Sequence, residues 1–391
     1  MASKTIAAVF AMLFLLSTAS LAGAQETMTI DPRFAALGGT HVAWPDAGNV
    51  IDVNVAGLRF VGDSFQYTGL SIQTAGPVFD IASLILKGLS GPGFASLVGT
   101  SEAQELFDGV YARAGVLGPL SLSFTRNGFG LEVDNDTAVS AIGSGASGLD
   151  VRTSELLAVR AGYALAIPFA DGSPVSLSIG LGLGGYLSGA AAATTSLVTL
   201  PTMLSSLPTS FFLGAPFELS MGGTIDAGVL LSIGQWIAIG VSAKDIYAPS
   251  LVFPYDSTSG FFSRTAARGT PQYRVAPLNL SAGAALSPPL GAAERFVQDL
   301  TIAIDYRDIL DFWLDPANAD NLSLKFSVGA EVTLLHVLAV RIGFDRGMIA
   351  AGVGLELGMV DLSAAMFGTE LATEPGVFGV YNLALGLEFG R

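Results

Sequence analysis

The sequence of 391 residues contains no cysteine and only two histidines, His41 and His336. Without cysteine, neither a disulfide framework nor a thiolate metal site can form, and two histidines cannot build a multi-histidine metal centre. The sequence has no recognisable Gly-x-Ser-x-Gly elbow, phosphate-binding glycine loop or pair of catalytic carboxylates. We therefore expect no catalytic residue, no metal site and no cofactor, and we predict that the protein is not an enzyme.

Charge is also scarce, and its balance is acidic. Charged residues make up 13% of the chain and the formal net charge is −15, whereas a charged share of about 25% is usual in soluble domains. Binding to nucleic acid requires clustered Lys and Arg, so we expect no nucleic-acid partner. Hydrophobic residues make up 51% of the chain. Even so, no stretch after the first 24 residues has the length and apolar continuity of a membrane-spanning helix.

The first 24 residues have the features of a secretory signal peptide. Lys4 is an early cation, an apolar run follows over residues 6–16, and Ala22-Gly23-Ala24 is a small-residue cleavage signal. We predict cleavage near Ala24 and export of the mature chain. An exported chain that is this apolar and has no membrane helix indicates a closed β-barrel whose outer face meets lipid.

Apolar residues alternate with small or polar ones through much of the chain, most regularly in the last seventy residues. A period of two predicts strands that send successive side chains to opposite faces of a sheet. We predict an all-β protein, a transmembrane antiparallel β-barrel of about fourteen strands with short helices in its external loops. The predicted strands are 60–73, 109–126, 128–139, 154–169, 174–187, 217–233, 236–248, 274–287, 297–306, 322–334, 338–344, 349–357, 360–366 and 381–389. An even number of strands leaves the short turns on the periplasmic side and the long connections outside.

The segment before the first strand carries a glycine- and asparagine-containing motif: Arg33, Gly38, Gly39, Asn54, Ala56, Gly57 and Leu58. This order of residues resembles the N-terminal signature of the FadL-like barrels, the superfamily of long-chain fatty-acid transporters. It departs from that signature at Val55, where proline is usual, and at Pro45-Asp46, where two acids are usual. The resemblance implies that residues 25–59 form a hatch inside a barrel of residues 60–391. The alternative is a plug that caps the lumen and never moves.

Two predicted external loops are unusually apolar. An exposed loop of this kind either buries its apolar surface or binds an apolar ligand. The resemblance implies a hydrophobic capture groove built from these loops, 188–216 and 249–273, whereas the alternative is that they pack on themselves or on the rim. The candidate capture residues are Leu200, Met203, Leu204, Leu207, Phe211, Phe212, Phe253, Phe261 and Phe262.

The predicted inward faces are rich in Gly, Ser and Ala, which indicates a weakly polar lumen. The candidate lumen charges are Lys325, Glu331, Arg341, Glu356 and Glu388. In one interpretation Lys325 and Arg341 bind a carboxylate of the substrate or take part in gating. In the other, the charges form a paired network that anchors the hatch through Arg33.

These features together predict an outer-membrane channel for passive uptake of hydrophobic small molecules such as long-chain fatty acids, by loop capture and hatch movement. The expected partners are outer-membrane lipid, the hydrophobic cargo and the barrel-assembly machinery. The alternative is a non-transporting barrel that serves as a structural scaffold or holds a partner protein in secretion or as an adaptor.

Overall fold

The computed structural model describes residues 31–46, 48–78, 111–143, 149–167, 169, 172–195, 213–263, 270–291, 295–317 and 319–390. The predicted signal peptide and the candidate capture residues between 200 and 212 lie outside these ranges. Among the described residues, no helix is both long and apolar enough to cross a membrane.

Within the described ranges, sixteen strand segments form one antiparallel sheet. They are β1 (Ser64–Ala75), β2 (Tyr111–Arg126), β3 (Phe129–Gly143), β4 (Leu149–Ile167), β5 (Val175–Thr195), β6 (Phe217–Ile233), β7 (Ile237–Tyr247), β8 (Pro249–Tyr255), β9 (Gln272–Val275), β10 (Asn279–Leu286), β11 (Val297–Tyr306), β12 (Phe326–Leu334), β13 (Leu338–Asp345), β14 (Met348–Glu356), β15 (Val360–Glu370) and β16 (Gly379–Gly390).

The sheet closes into a barrel of fourteen strands, because β7 with β8, and β9 with β10, are each one interrupted barrel strand. β7 and β8 pair with successive parts of β6, while β9 pairs with β8 and β10 pairs with β7. β1 pairs with β16, and β5 pairs with β6. The predicted fold class is therefore confirmed.

The two faces of the wall differ as the alternation predicts. On β13, Val340 and Ile342 point outward and are exposed, whereas Ala339 and Arg341 point inward and are buried. Outward Leu, Ile, Val and Phe side chains are exposed in the same way on many of the other strands. A continuous apolar outer surface is stable only against lipid, so the wall has the character of a transmembrane barrel.

The wall is not equally tall around the barrel. β4, β5 and β6 contain 19, 21 and 17 residues, and we call these three strands the tall wall. β12, β13 and β14 contain 9, 8 and 9 residues, and we call them the low wall. β5 is longer than the predicted strand and continues to Thr195, because its last residues are mostly Ala and Thr and lack a clear alternation.

Residues 31–46 and 48–62, which we call the plug, lie inside the barrel. They contain α1 (Pro32–Ala36), α2 (Val50–Val53) and a 3₁₀-helix, Val55–Arg59. Asp31 begins α1 by accepting hydrogen bonds from the backbone N–H groups of Arg33 and Phe34. The helices of the plug pack against β3 to β6 on one side and β13 to β16 on the other.

Inward glycines of the wall allow the plug backbone to approach closely. A Cβ atom at Gly343 would lie 2.2 Å from the backbone nitrogen of Gly38, and one at Gly180 would lie 2.4 Å from that of Ala56. A Cβ at Gly240 would lie 2.3 Å from the carbonyl oxygen of Val42. The abundance of inward glycine therefore reflects plug packing at these positions, where the sequence analysis interpreted it only as a weakly polar lumen.

Candidate functional site

An ion-pair network joins the start of the plug to β12 and β13. Arg33 Nε and Nη2 lie 3.2 and 3.0 Å from the two carboxylate oxygens of Glu331, and Arg33 Nη1 lies 2.7 Å from Asp46 Oδ2. Arg341 Nε donates to Glu331 from the other side at 2.5 Å. The guanidinium of Arg33 also stacks 5.3 Å from the centre of the Trp44 ring. We call this group the Arg33 anchor.

A second network holds the later part of the plug against the opposite side of the barrel. Asp52 of α2 lies 3.0 Å from Lys244 Nζ on β7 and 3.5 Å from Arg160 Nε on β4. Arg160 also pairs with Glu132 at 3.2 Å and Asp134 at 3.3 Å, both on β3. We call this group of Asp52, Lys244, Arg160, Glu132 and Asp134 the Asp52 anchor; it was not predicted from the sequence. The alternation of Glu132 and Asp134 on a predicted strand was the signal that could have identified it.

The middle of the plug is held through its backbone. Asp305 of β11 accepts hydrogen bonds from the backbone N–H groups of His41 at 2.7 Å and Val42 at 3.0 Å. Ser242 of β7 donates to the carbonyl of Val53 at 2.6 Å. Backbone groups that would otherwise be buried without partners are satisfied by these contacts.

The structure gives a physical reason for each glycine and for the asparagine of the N-terminal motif. Gly38 and Gly39 have φ angles of +64° and +73°, which L-residues rarely adopt. A Cβ at Gly57 would lie 2.3 Å from the Pro45 ring. Asn54 donates to the carbonyl of Val42 at 2.8 Å and accepts from the backbone of Ala56 at 3.2 Å, so it joins two parts of the plug.

The remaining motif residues pack in the interior. Ala56 and Leu58 are both buried. Leu58 packs in a cluster with Val50, Ile51, Val55 and Ala164 of β4. Ala56 packs in a second cluster, which includes Ala43.

Lys325 lies in a different secondary-structure element from the one that the sequence predicted. It ends a 3₁₀-helix, Leu322–Lys325, and β12 begins only at Phe326, whereas a strand was expected from residue 322. The side chain of Asn321 caps this helix by accepting from the backbone of Ser323. Lys325 Nζ donates to the carbonyl of Asp308 at 3.0 Å and also pairs with the carboxylate of Asp311. The side chain thus binds the external loop after β11 and also lines the cavity inside the barrel.

Arg346 and Arg307 bind acidic residues near Lys325 at the same end of the barrel. Arg346 bonds the carboxylate of Asp320 and the carbonyl oxygens of Glu370, at 2.9 Å, and Ala372, at 3.2 Å. Arg307 pairs with Asp345. Burial raises the pKa of Asp308 in this loop, although the nearby Arg307 opposes the shift.

A cavity of about 790 Å³ lies beside the plug. Its lining includes Tyr111 and Leu371 at the external end and Gln66 and Gly358 at the periplasmic end, so it spans the height of the barrel. Many plug and wall charges line it, including Arg33, Arg160, Arg341, Glu356 and Glu388. The lumen is therefore more highly charged than expected, because β2, β3 and β4 contribute inward charges that the sequence analysis did not count.

Three members of the predicted capture groove, Phe253, Phe261 and Phe262, are described, and the ring centres of Phe261 and Phe262 lie 5.3 Å apart. Phe253 belongs to β8, which lengthens the wall where an irregular loop was expected. Phe261 packs on Phe217 and Tyr255, with ring centres 4.5 and 5.1 Å away. Phe262 is exposed. The other six candidates, Leu200, Met203, Leu204, Leu207, Phe211 and Phe212, lie outside the described residues.

No group of three or more His, Asp or Glu side chains suited to a metal ion occurs within the described part of the chain. Its numerous carboxylates are mostly engaged with arginine, lysine or backbone N–H groups. These are the contacts of a structural network, and none of them sets up a nucleophile beside a base.

A closed barrel that is apolar outside and holds a plug and a cavity inside has the architecture of an outer-membrane β-barrel. No family model matches the sequence, and no curated protein sequence matches it. Among solved structures, the chain is similar to the toluene transporter TodX of Pseudomonas putida (10% identity, 93% of this chain and 98% of that chain, TM-score 0.45). It is also similar to the toluene transporter TbuX of Ralstonia pickettii (11% identity, 94% and 99%, TM-score 0.48).

A third similar structure is that of a FadL homologue from Pseudomonas aeruginosa, with 10% identity over 95% of this chain and 99% of that chain and a TM-score of 0.43.

Proposed function

We propose that this protein is an outer-membrane channel for passive uptake of hydrophobic small molecules, with long-chain fatty acids among its cargoes. The observation that carries the proposal is the cavity, since its lining includes residues at both ends of a closed barrel. A barrel filled only for stability would need no such space beside its plug. TodX and TbuX are named toluene transporters, which is the same class of function.

The proposed uptake begins with capture by apolar residues of the external loops. Cargo then enters the cavity between the plug and the inner faces of β1 and β2, where Gln66, Gln73, Leu117 and Ser121 line it. Most of the charges that border the cavity are paired with one another, which lowers the cost of moving an apolar molecule past them. No energy source is required, because the cargo follows its concentration gradient.

The proposed movement of the plug widens this cavity. The Arg33 anchor and the Asp52 anchor hold the plug at two opposite sides, so either can open while the other keeps the plug in place. Release of both would leave several buried charges without partners, which is costly. We therefore propose a partial displacement of the plug rather than its exit from the barrel.

The experiment that tests this function is uptake by intact cells. A Gram-negative host that lacks its own hydrophobic-compound channels would express the full chain, and entry of a fluorescent fatty acid and of a neutral monoaromatic compound would be followed. Uptake above that of the empty host supports the channel. A correctly folded, heat-modifiable barrel that gives no uptake of either probe would exclude it.

The firm anchoring of the plug favours one alternative, a barrel that does not transport. Three separate sets of contacts hold the plug, through Arg33, Asp52 and Asp305. In this second candidate function the barrel is a scaffold that holds a partner protein at the membrane. The same cells distinguish the two candidates, since a scaffold would leave probe uptake at the level of the empty host.

A further inference from the structure

The low wall is too short to cover the apolar region of a membrane by itself. Its strands contain 8 or 9 residues. At about 3.3 Å per residue and a tilt of about 40°, such strands span roughly 20 to 23 Å along the membrane normal, whereas the apolar band of outer-membrane barrels is about 25 Å tall. Residues beyond the strand ends must supply the missing part of this band.

The external ends of the low wall are covered by two loops that are joined to each other. We call residues 307–317, 319–325 and 371–378 the rim platform. The backbone N–H of Asn321 donates to the carbonyl of Thr373 at 2.9 Å, and its side chain donates to Glu374 at 2.8 Å. Arg346, in the turn between β13 and β14, bonds both loops, through Asp320 and Ala372.

Glu370 fixes the second loop of the rim platform, residues 371–378, through hydrogen bonds to its backbone. Its carboxylate accepts from the backbone N–H groups of Ala372 at 3.1 Å, Gly376 at 2.8 Å and Phe378 at 2.6 Å. The loop is therefore held by bonds to a buried carboxylate at the end of β15. A surface built on it keeps its shape.

The rim platform is amphipathic. Asp311 and Asp320 direct their carboxylates to Lys325 and Arg346 at the lumen side. Four large apolar side chains of the same loop are exposed, among them Trp313, at 71%. They are Phe312, Trp313, Leu314 and Leu322. A fixed loop that leaves this much apolar surface uncovered is expected to have a partner.

The periplasmic ends of the same strands show the same pattern. Leu335 and Val337 in the turn between β12 and β13, and Leu357 and Met359 between β14 and β15, are exposed. The periplasmic turns of the tall wall also carry exposed apolar residues, Phe169 between β4 and β5 and Trp236 after β6. Exposed apolar residues thus continue beyond both ends of the strands that are too short.

We propose that the rim platform inserts Phe312, Trp313, Leu314 and Leu322 into the outer leaflet of the membrane, where they complete the lipid-facing band above the low wall. The partner that covers these side chains is lipid, through its acyl chains and its interfacial region. The surface is continuous with the apolar outer wall, and Trp is favoured at this depth. The inference rests on the outer-membrane placement of the barrel and is independent of its cargo.

Quenching of tryptophan fluorescence by brominated lipids tests the proposal, because the three tryptophans occupy three different places. A variant that keeps Trp313 alone (Trp44→Phe, Trp236→Phe) is compared with variants that keep only Trp236, exposed at the periplasmic rim, or only Trp44, beside Arg33 in the plug. We expect Trp313 and Trp236 to be quenched to a similar extent, with Trp44 little affected. Trp313 that is unquenched by lipid but fully quenched by aqueous iodide would overturn the proposal.

A second measurement uses bilayer thickness. The variant Phe312→Ser/Trp313→Ser/Leu314→Ser should lose more stability in thick bilayers than in thin ones, because the apolar band over the low wall becomes shorter. The control Phe262→Ser changes an exposed residue above β8, beside the tall wall, and should show no dependence on thickness. Equal losses of stability at all bilayer thicknesses would contradict lipid insertion. Protection of Trp313 from iodide quenching only at protein concentrations where the chain dimerises would contradict it as well.

Discussion

Glu331 of β12 accepts hydrogen bonds from two arginines, Arg33 of the plug and Arg341 of the neighbouring strand β13. The register of the sheet places Arg341 directly opposite Glu331 on the inner face. Arg33 reaches the same carboxylate from inside the barrel. One carboxylate therefore couples the wall to the plug, and its charge is shared by two cations in the interior.

Replacement of Glu331 should destabilise the whole barrel. Glu331→Leu leaves Arg33 and Arg341 facing each other without the carboxylate, and loss of one partner of a buried ion network costs about 3 kcal/mol. The measurement is the free energy of unfolding from urea titrations in lipid or detergent. Arg126→Ala is the control, since Arg126 and Asp63 lie 3.8 Å apart and both are exposed, and such a pair contributes less than about 1 kcal/mol.

A methyl group at an inward glycine should prevent the plug from seating. In Gly343→Ala the new Cβ would meet the backbone of Gly38 at 2.2 Å, so either the plug or the strand must move. We expect the plug to be cut faster by protease while the barrel remains heat-modifiable. Gly185→Ala is the matched control, because the nearest atom to its Cβ would be a carbonyl oxygen 3.9 Å away. Equal cleavage of the two variants would show that close plug packing is not required.

A reversible crosslink can test the proposed movement of the plug. The chain has no cysteine, so Ile51→Cys/Gly130→Cys would introduce the only thiols. A Cβ at Gly130 would lie 3.1 Å from Ile51 Cγ1, which places the two positions within reach of a disulfide. If uptake requires movement near the Asp52 anchor, oxidation should reduce it severalfold and a reductant should restore it. Each single-cysteine variant is the control, and full uptake by the oxidised form would show that this part of the plug stays in place.

The external loop should be more stable without the charge of Asp308. Burial raises the pKa of this carboxyl, whose charged neighbours are Arg307, Asp311, Asp320 and Lys325. A raised pKa in the folded state means that Asp308 contributes stability when protonated, at pH below its unfolded pKa, and that this contribution is lost as the pH rises through the folded pKa.

Asp308→Asn should therefore increase stability at neutral pH, by less than about 1 kcal/mol, and should flatten its decline as the pH rises from the acidic range. Asparagine also tolerates the φ angle of +49° at this position. The unfolding midpoint measured across the acidic and neutral range checks this. A variant that is less stable than the parent at neutral pH would contradict the assignment.

Local patterns in the sequence were sufficient to predict the barrel itself. Alternation predicted the ends of β13, β14 and β16 to within two residues, whereas β12 begins four residues later and β15 ends four residues later than predicted. Parity of the connections predicted fourteen strands. The place of the N-terminal segment inside the barrel was implied only by its resemblance to the FadL-like barrels, whereas the paired glycines and Pro45 indicated turns and not a strand. These features follow from neighbouring residues alone, since a period of two and a glycine-rich turn are each encoded within a few positions.

The contacts that hold the plug could not be derived in the same way. Arg33 and Glu331 are separated by 298 positions, and Asp52 meets Lys244 across 192. Which of many inward charges a plug residue will meet depends on the path of the plug through the lumen and on the stagger of the strands, and neither has a local signal.

The sequence by itself thus determined that the chain is a barrel with an apolar exterior and that its N-terminal segment is not a barrel strand. Only the tertiary structure decided which charges are paired, where the cavity lies beside the plug, and that the low wall is shorter than the apolar region of a membrane. The reason is that strand pairing and side-chain alternation are local properties. Wall height, lumen contacts and the placement of Trp313 arise only when distant strands are closed into one sheet.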